Sequence, residues 1–148
     1  MPRRRSWNER GSASIEFLIG GLVMLVPLAY LMIAVGEVQH ESMAAQAIAR
    51  EAANAYARTG EAGEASARAA EAIADVAAEY GIDPASLAVD VGCDGGGACP
   101  RAGALVRVSV ATSVALPFLP QSFGLGAYTS VPVDATAVQR VSRYWTGS

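Results

Sequence analysis

The spacing of apolar and polar positions changes three times along the 148 residues. Residues 1–11 are polar and basic, and from Phe17 to Gly36 twenty residues pass without a charge. At 1.5 Å per residue that is roughly the helix length that crosses a ~30 Å hydrocarbon core. Helix-forming sequence then continues from Glu37 to about Arg58, where Ala44, Ala45, Ala47, Ile48, Ala49, Ala52, Ala53, Ala55 and Tyr56 are interleaved with Glu41, Gln46, Arg50, Glu51 and Arg58. Joined to the apolar stretch, this predicts one helix of about 45 residues, roughly 65–70 Å long. Pro27 removes a backbone donor and crowds the preceding turn, so a kink is expected there. Gly20, Gly21 and Gly36 are weak or close-packing points.

Thr59-Gly60 interrupts the pattern. A second helix is predicted from Glu61 to Tyr80, amphipathic, with Glu61, Glu64, Arg68, Glu71, Asp75 and Glu79 as a solvated face. Gly81 suits its C-terminal cap, and Asp83-Pro84 prevents continuation. Beyond Pro84 the period falls to two. Leu87, Val89 and Val91 make one strand, Val106, Val108, Val110 and Val114 a second, and Val131, Val133, Ala135 and Ala137 a third running toward Arg140. A Gly-rich loop between the first two favours an antiparallel pair. Residues 116–128, rich in Pro and Gly, read as a loop that tucks Phe118, Leu119 and Phe123 against the core. The fold class is therefore α+β: a long N-terminal transmembrane helix continuing into a stalk, an amphipathic second helix, and a small antiparallel sheet of about three strands. The division is 1–11 basic leader, 12–36 transmembrane helix, 37–58 helical stalk and 59–148 head.

Charge orients this arrangement. The first eleven residues hold four of the eleven arginines against Glu9 alone, and the remainder holds seven arginines against thirteen acids. The positive-inside rule places the leader in the cytoplasm and the head outside, in a single-pass protein of the inner membrane. A net charge of −3, with no basic patch beyond the leader, argues against a nucleic-acid partner. The chain has no lysine, which excludes P-loop, Schiff-base and lysine-base chemistry. Arginine in place of lysine, with heavy Ala and Gly usage, suggests a GC-rich bacterial genome.

The residues around Gly11 are the most informative. Arg3, Arg4, Arg5 and Arg10 lead to Gly11, then Ser12-Ala13-Ser14-Ile15, then a lone Glu16 at the head of the apolar run, followed by Phe17. A carboxylate costs about 2.5–3.5 kcal/mol mid-bilayer on insertion scales and less near the edge, so one placed here wants a partner. This arrangement resembles the leader of type IV prepilins and pseudopilins. The string Arg-Gly-Ser-Ala-Ser-Ile-Glu-Phe is similar to the TadE-like proteins of tight-adherence (Flp) pilus systems. The likeness continues to the terminal Val-x-Arg-Tyr segment as one of architecture only. It implies cleavage between Gly11 and Ser12 by a prepilin peptidase, leaving Glu16 as the fifth residue after the cut. The family's glutamate is implied to set register between subunits, with Phe17 fitting the aromatic that follows it. The new α-amine at Ser12 stands one turn from Glu16, and it or a neighbour's amine is a natural counter-ion. The expected partners are membrane lipid, the peptidase and other pilus subunits, and the expected function is a minor pseudopilin or assembly component with a structural role. The plainer reading of Glu16 places it among headgroups, paired with Arg10.

Two other readings compete. A secretory signal peptide would use Ala34-Val35-Gly36 as its cleavage site, but the apolar run exceeds the usual 7–15 residues and would open on a charge. An uncleaved single-pass envelope protein would bind a ligand or partner through its head. Cys93 and Cys99 bracket a Gly-rich turn in a part placed outside the cytoplasm, which favours a disulfide over free thiols. Zinc lacks a second ligand pair, since His40 is the only histidine, and the Cys-x-x-Cys redox spacing is missing. No cofactor and no metal is expected. With one His and no Lys, no nucleophile–base–orienter set assembles, so no enzyme activity is expected. His40 beside Glu37 or Glu41 reads as a helix-surface pair, and Tyr144 and Trp145 as a cap on the core or a subunit contact.

Overall fold

The computed structural model describes residues 12–95, 99–115 and 130–146. Its elements are α1 (Ser12–Arg58), α2 (Ala62–Tyr80), a 3-10 turn (Pro84–Ser86), β1 (Ala88–Cys93), β2 (Leu105–Ala115) and β3 (Ser130–Arg140). The strands form one antiparallel sheet in the order β1-β2-β3. This is the α+β arrangement expected from the periodicity. The chain divides into two compact units, Met1–Gly36 and Glu37–Ser148.

In the first unit the described residues are α1 alone. Its large apolar side chains are bare: Phe17 is 80% exposed and Met24 77%. The helix is long and apolar enough to cross a membrane. Pro27 lies inside α1 without ending it. A loss of one backbone bond is small beside the cost of leaving further amide groups unpaired in an apolar setting.

The second unit has one core. Ala44, Ala45, Ile48, Ala49, Ala52, Ala53 and Ala57 of α1 are buried, a spacing that covers about half the helix circumference. A helix resting on one neighbour needs an apolar stripe of only about 100°. This part of α1 is covered more widely, because the cluster it joins holds residues from both α2 and the sheet. α2 contributes Ala65, Ala69 and Ala77, with Ile73 and Val76 half-buried. The sheet contributes Val106, Val108, Val110 and Val114 from β2 and Val133 and Ala135 from β3. Alternate residues of those strands, such as Arg107, Asp134 and Thr136, face solvent, the period of two that the sequence showed.

Local chemistry ends the elements where expected. Gly81 takes φ 69°, the left-handed cap conformation that favours glycine. Its N–H bonds Ala78 O at 3.2 Å, and the N–H of Ile82 bonds Ala77 O at 2.8 Å, closing a Schellman motif. Asp83 then caps the 3-10 turn, its Oδ1 accepting from the Ala85 N–H at 2.9 Å. Pairing of β1 with β2 is centred on Val89↔Val110 and Val91↔Val108. That register puts Val89 and Val91 on the same face as the buried Val108 and Val110, where, on the edge strand, they stay 36% and 37% exposed. β2 and β3 pair over their whole lengths, from Leu105↔Arg140 to Ala115↔Ser130.

Residues 116–128, expected to tuck three aromatic and leucine side chains onto the core, lie outside the described residues. Of the two terminal aromatics, Trp145 packs on the core cluster, while Tyr144 is 91% exposed.

A seam of alanines has no slack for larger side chains, and Ile48 is its one bulky member. Ala52→Leu is expected to destabilise the head by about 1–3 kcal/mol through overpacking. Ile48→Ala should cost about 2–5 kcal/mol through a cavity, while Val138→Ala, on the exposed face of β3, stays within about 0.5 kcal/mol. Urea unfolding of the full chain in detergent micelles, in a Trp7→Phe background so that Trp145 alone reports by fluorescence, checks all three.

Candidate membrane and assembly surfaces

Gly11, the residue before the expected cut, lies outside the described residues. Ser12 opens α1, and Glu16 follows one turn later, exposed, with Phe17 beside it 80% exposed. Among the described residues Glu16 is the only ionisable side chain of α1 before Glu37 apart from Tyr30. Gly20 lies four residues on, where one turn of helix brings it under the same face. A side chain is missing there, and an open hollow of about 480 Å3 is lined by Ile15, Glu16, Ile19 and Gly20. At 100° per residue Val23, Pro27, Tyr30 and Ala34 fall within about 40° of Glu16. The stripe thus carries a carboxylate, a notch, a proline and a phenol along a stretch, 16–36, that is otherwise free of polar side chains. The Tyr30 hydroxyl is buried without a hydrogen-bond partner among the described residues.

In the head, the two cysteines that bracket the turn are joined. The Cys93–Cys99 disulfide links Cα atoms 5.8 Å apart. It closes a loop in which Gly95 takes φ 88° and the Arg101 guanidinium donates to Asp94 O at 2.8 Å. Tyr56 Oη on α1 donates to Cys99 O at 3.2 Å, which fastens the loop to the helix. The expected pairing of His40 with Glu37 or Glu41 is not what forms. His40 Nε2 lies 3.2 Å from Tyr80 O, at the end of α2, with the two rings 5.8 Å apart. Glu41 instead accepts a hydrogen bond from Thr112 Oγ1 of β2 at 3.0 Å. Trp145 Nε1 donates to Thr59 O at 2.7 Å, so the C-terminal segment closes over the end of α1.

Two shallow depressions mark the head. One, of about 380 Å3, lies on the sheet, lined by residues including Asp90, Ser109, Asp134 and Thr136, with the Ser109 and Thr136 hydroxyls 3.1 Å apart. The other, of about 370 Å3, sits where α1 ends and α2 begins, among Arg58, Thr59, Gly60, Glu64 and Arg68. Both are open, and in the first Asp90 stands opposite Ser109 in the strand register. Among the described residues no three His, Cys, Asp or Glu side chains converge on one point.

The polar ties from α1 to the sheet and from Trp145 to Thr59 were not visible in the sequence. They join residues 43, 71 and 86 positions apart, and no local spacing signals them. No protein-family model, curated protein or solved structure matches the chain.

The disulfide has a direct consequence. Without reductant, the unfolded full chain should take up no alkylating label, and after reduction it should take up two, read by intact mass. Cys93→Ser with Cys99→Ser should lower head stability by about 2–3 kcal/mol, the entropy of a loop this short.

Proposed function

We propose that this chain is a membrane-anchored structural subunit of a tight-adherence pilus system, a TadE-like pseudopilin with its N-terminus in the cytoplasm and its head outside the inner membrane. The observation that carries this reading is Glu16: a single exposed carboxylate, one turn after Ser12, at the start of a bare apolar helix. A plain anchor gains nothing from a charge in that position, and its cost on insertion has to be offset by a partner. A free α-amine at Ser12 would supply the charge at the right spacing. On this reading the prepilin peptidase cuts after Gly11, Glu16 orders the helix against its neighbours, and the notch at Gly20 lets an adjoining helix approach. The action is mechanical, and the head serves as the outward-facing part.

The continuity of α1 through Ala34, Val35 and Gly36 into the head's core supports anchoring over release. A signal peptidase needs an extended segment at its site, whereas here the backbone is helical on both sides.

The test is the N-terminus and intact mass of the protein from its native membrane. A chain beginning at Ser12 is expected. A chain beginning at Glu37 means release by signal peptidase, and an uncut chain means an envelope anchor whose head binds a partner. Gly11→Ala should block the cut. Glu16→Ala should leave the cut and the folded head intact yet reduce pilus assembly by at least about tenfold, the equilibrium worth of one charged interaction of roughly 1.4 kcal/mol or more.

A further inference from the structure

The head carries opposite charge on opposite sides. Along α2, Glu64, Arg68, Glu71, Asp75 and Glu79 fall within an arc of about 80°, with Glu61 just before its first turn, and all six are exposed. Among the described residues the one ion pair is Arg68–Glu71, at 3.6 Å. Five carboxylates against one guanidinium leave the stripe strongly negative.

The sheet shows the reverse at one end. Its helix-facing side is buried with α1 and α2, so its other face looks away from the α2 stripe. On that face Arg107 stands opposite Val138 in register, and Arg140 lies two residues further along β3. Diagonal neighbours of this kind are roughly 7–8 Å apart. Val138, 46% exposed, sits beside both. Arg101 and Arg143 flank the same end, where Val141 N–H bonds Ala104 O at 2.9 Å and Asp94 N–H bonds Leu105 O at 2.9 Å. All four arginines are exposed, and the acids on the same side are Asp94 in the loop and Asp90 and Asp134 further along the sheet.

We propose that these surfaces are the two halves of a repeating contact between copies of this chain, the α2 stripe of one head seated on the arginine end of the sheet in the next. Matching either surface with itself sets like charges together, which complementary interfaces avoid. The contact is therefore heterologous. It leaves a stripe free at one end and arginines free at the other, so it propagates rather than closes. One exposed ion pair shifts an equilibrium by less than about fivefold, too little to hold soluble heads together. Copies anchored in one membrane meet at a high effective concentration, and this step rests on the anchoring proposed above. Under that confinement a few rim pairs are enough to choose which faces meet.

The experiment places a benzoylphenylalanine at Ala78, exposed on α2, in the full chain reconstituted in phosphatidylcholine vesicles, whose zwitterionic surface supplies no net charge. Irradiation should give dimers and longer ladders, attached within residues 101–107 or 138–143 of a second copy by peptide mass mapping. Raising salt from about 50 to about 500 mM should cut the yield several-fold. The triple change Glu64→Arg, Asp75→Arg, Glu79→Arg should lower it about tenfold, as should Arg107→Glu, Arg140→Glu, Arg143→Glu. Mixing the two variants should restore it, because each then offers the other an opposite charge. Attachment to α2 or to lipid, yields indifferent to both triple changes, or a mixture that stays unlinked while circular dichroism shows folded heads would each overturn the contact. Crosslinking in vesicles combined with an uncut chain in the cell keeps the contact and removes the pilus reading. A chain cut before Ser12 that never crosslinks does the opposite.

Discussion

The head depends on how thin its side chains are where α1 meets its neighbours. Six of the seven buried positions between residues 44 and 57 are alanine. Alanine brings little apolar area of its own, so the favourable term comes from what it allows. Backbones draw close, valines of β2 reach the helix surface, and dispersion contacts accumulate over a dense seam. Alanine also loses no rotamer freedom on burial, so the ordering cost of this helix is low for its length. The arrangement makes the head intolerant of growth at any one position. It also explains why Ile48 matters: it is the largest apolar side chain that this part of α1 buries completely.

A seam of small residues discriminates poorly between registers, because one alanine resembles the next. Polar ties supply what packing alone leaves loose. Thr112 to Glu41, Tyr56 to Cys99 and Trp145 to Thr59 fasten one side of α1 at three heights, and sliding the helix by one turn would break all of them. Each contributes about 1 kcal/mol net, but leaving a half-buried partner unpaired costs more than making the bond gains. The disulfide acts in the same sense. By closing the loop after β1 it sets the point from which Cys99 O meets Tyr56, so loop and helix position each other.

Elements were legible in the sequence wherever period and punctuation agreed. Val106, Val108 and Val110 alternate cleanly, Gly81 stands where a left-handed residue was required, and the cysteines bracket a turn, so strands, cap and disulfide followed. The side chains that join elements were not legible. His40 had two acidic neighbours within one turn, Glu37 at i, i+3 on the same face, yet it faces the carbonyl of Tyr80. The last carbonyls of α2 have no partner within their own helix, so one is open to a ring donor from α1. Glu41, left without a basic neighbour, turns to a threonine 71 residues away. Such choices depend on which elements end up adjacent, and that follows from the packing of alanines that look alike in sequence. The acidic positions of α2 were legible as a solvated face, but the arginines opposite them come from two strands and two turns and converge only in the folded head.

The two units divide the physical work in a way that suits a subunit anchored as proposed. An apolar helix with bare leucines and valines holds to lipid or to other helices with large, unselective energy, since each buried methylene contributes about 0.8 kcal/mol whatever its neighbour. One carboxylate on such a surface changes little in total affinity and much in which arrangement is tolerated, because its penalty disappears only where a cation meets it. The head reverses the proportions: its exposed surface offers scattered charges of small individual worth, with acids predominant along α2 and four arginines gathered at one end of the sheet. Strong adhesion without direction in one unit and weak direction without adhesion in the other are each insufficient for ordered assembly. Together they allow it, because confinement by the first makes the small differences in the second decisive.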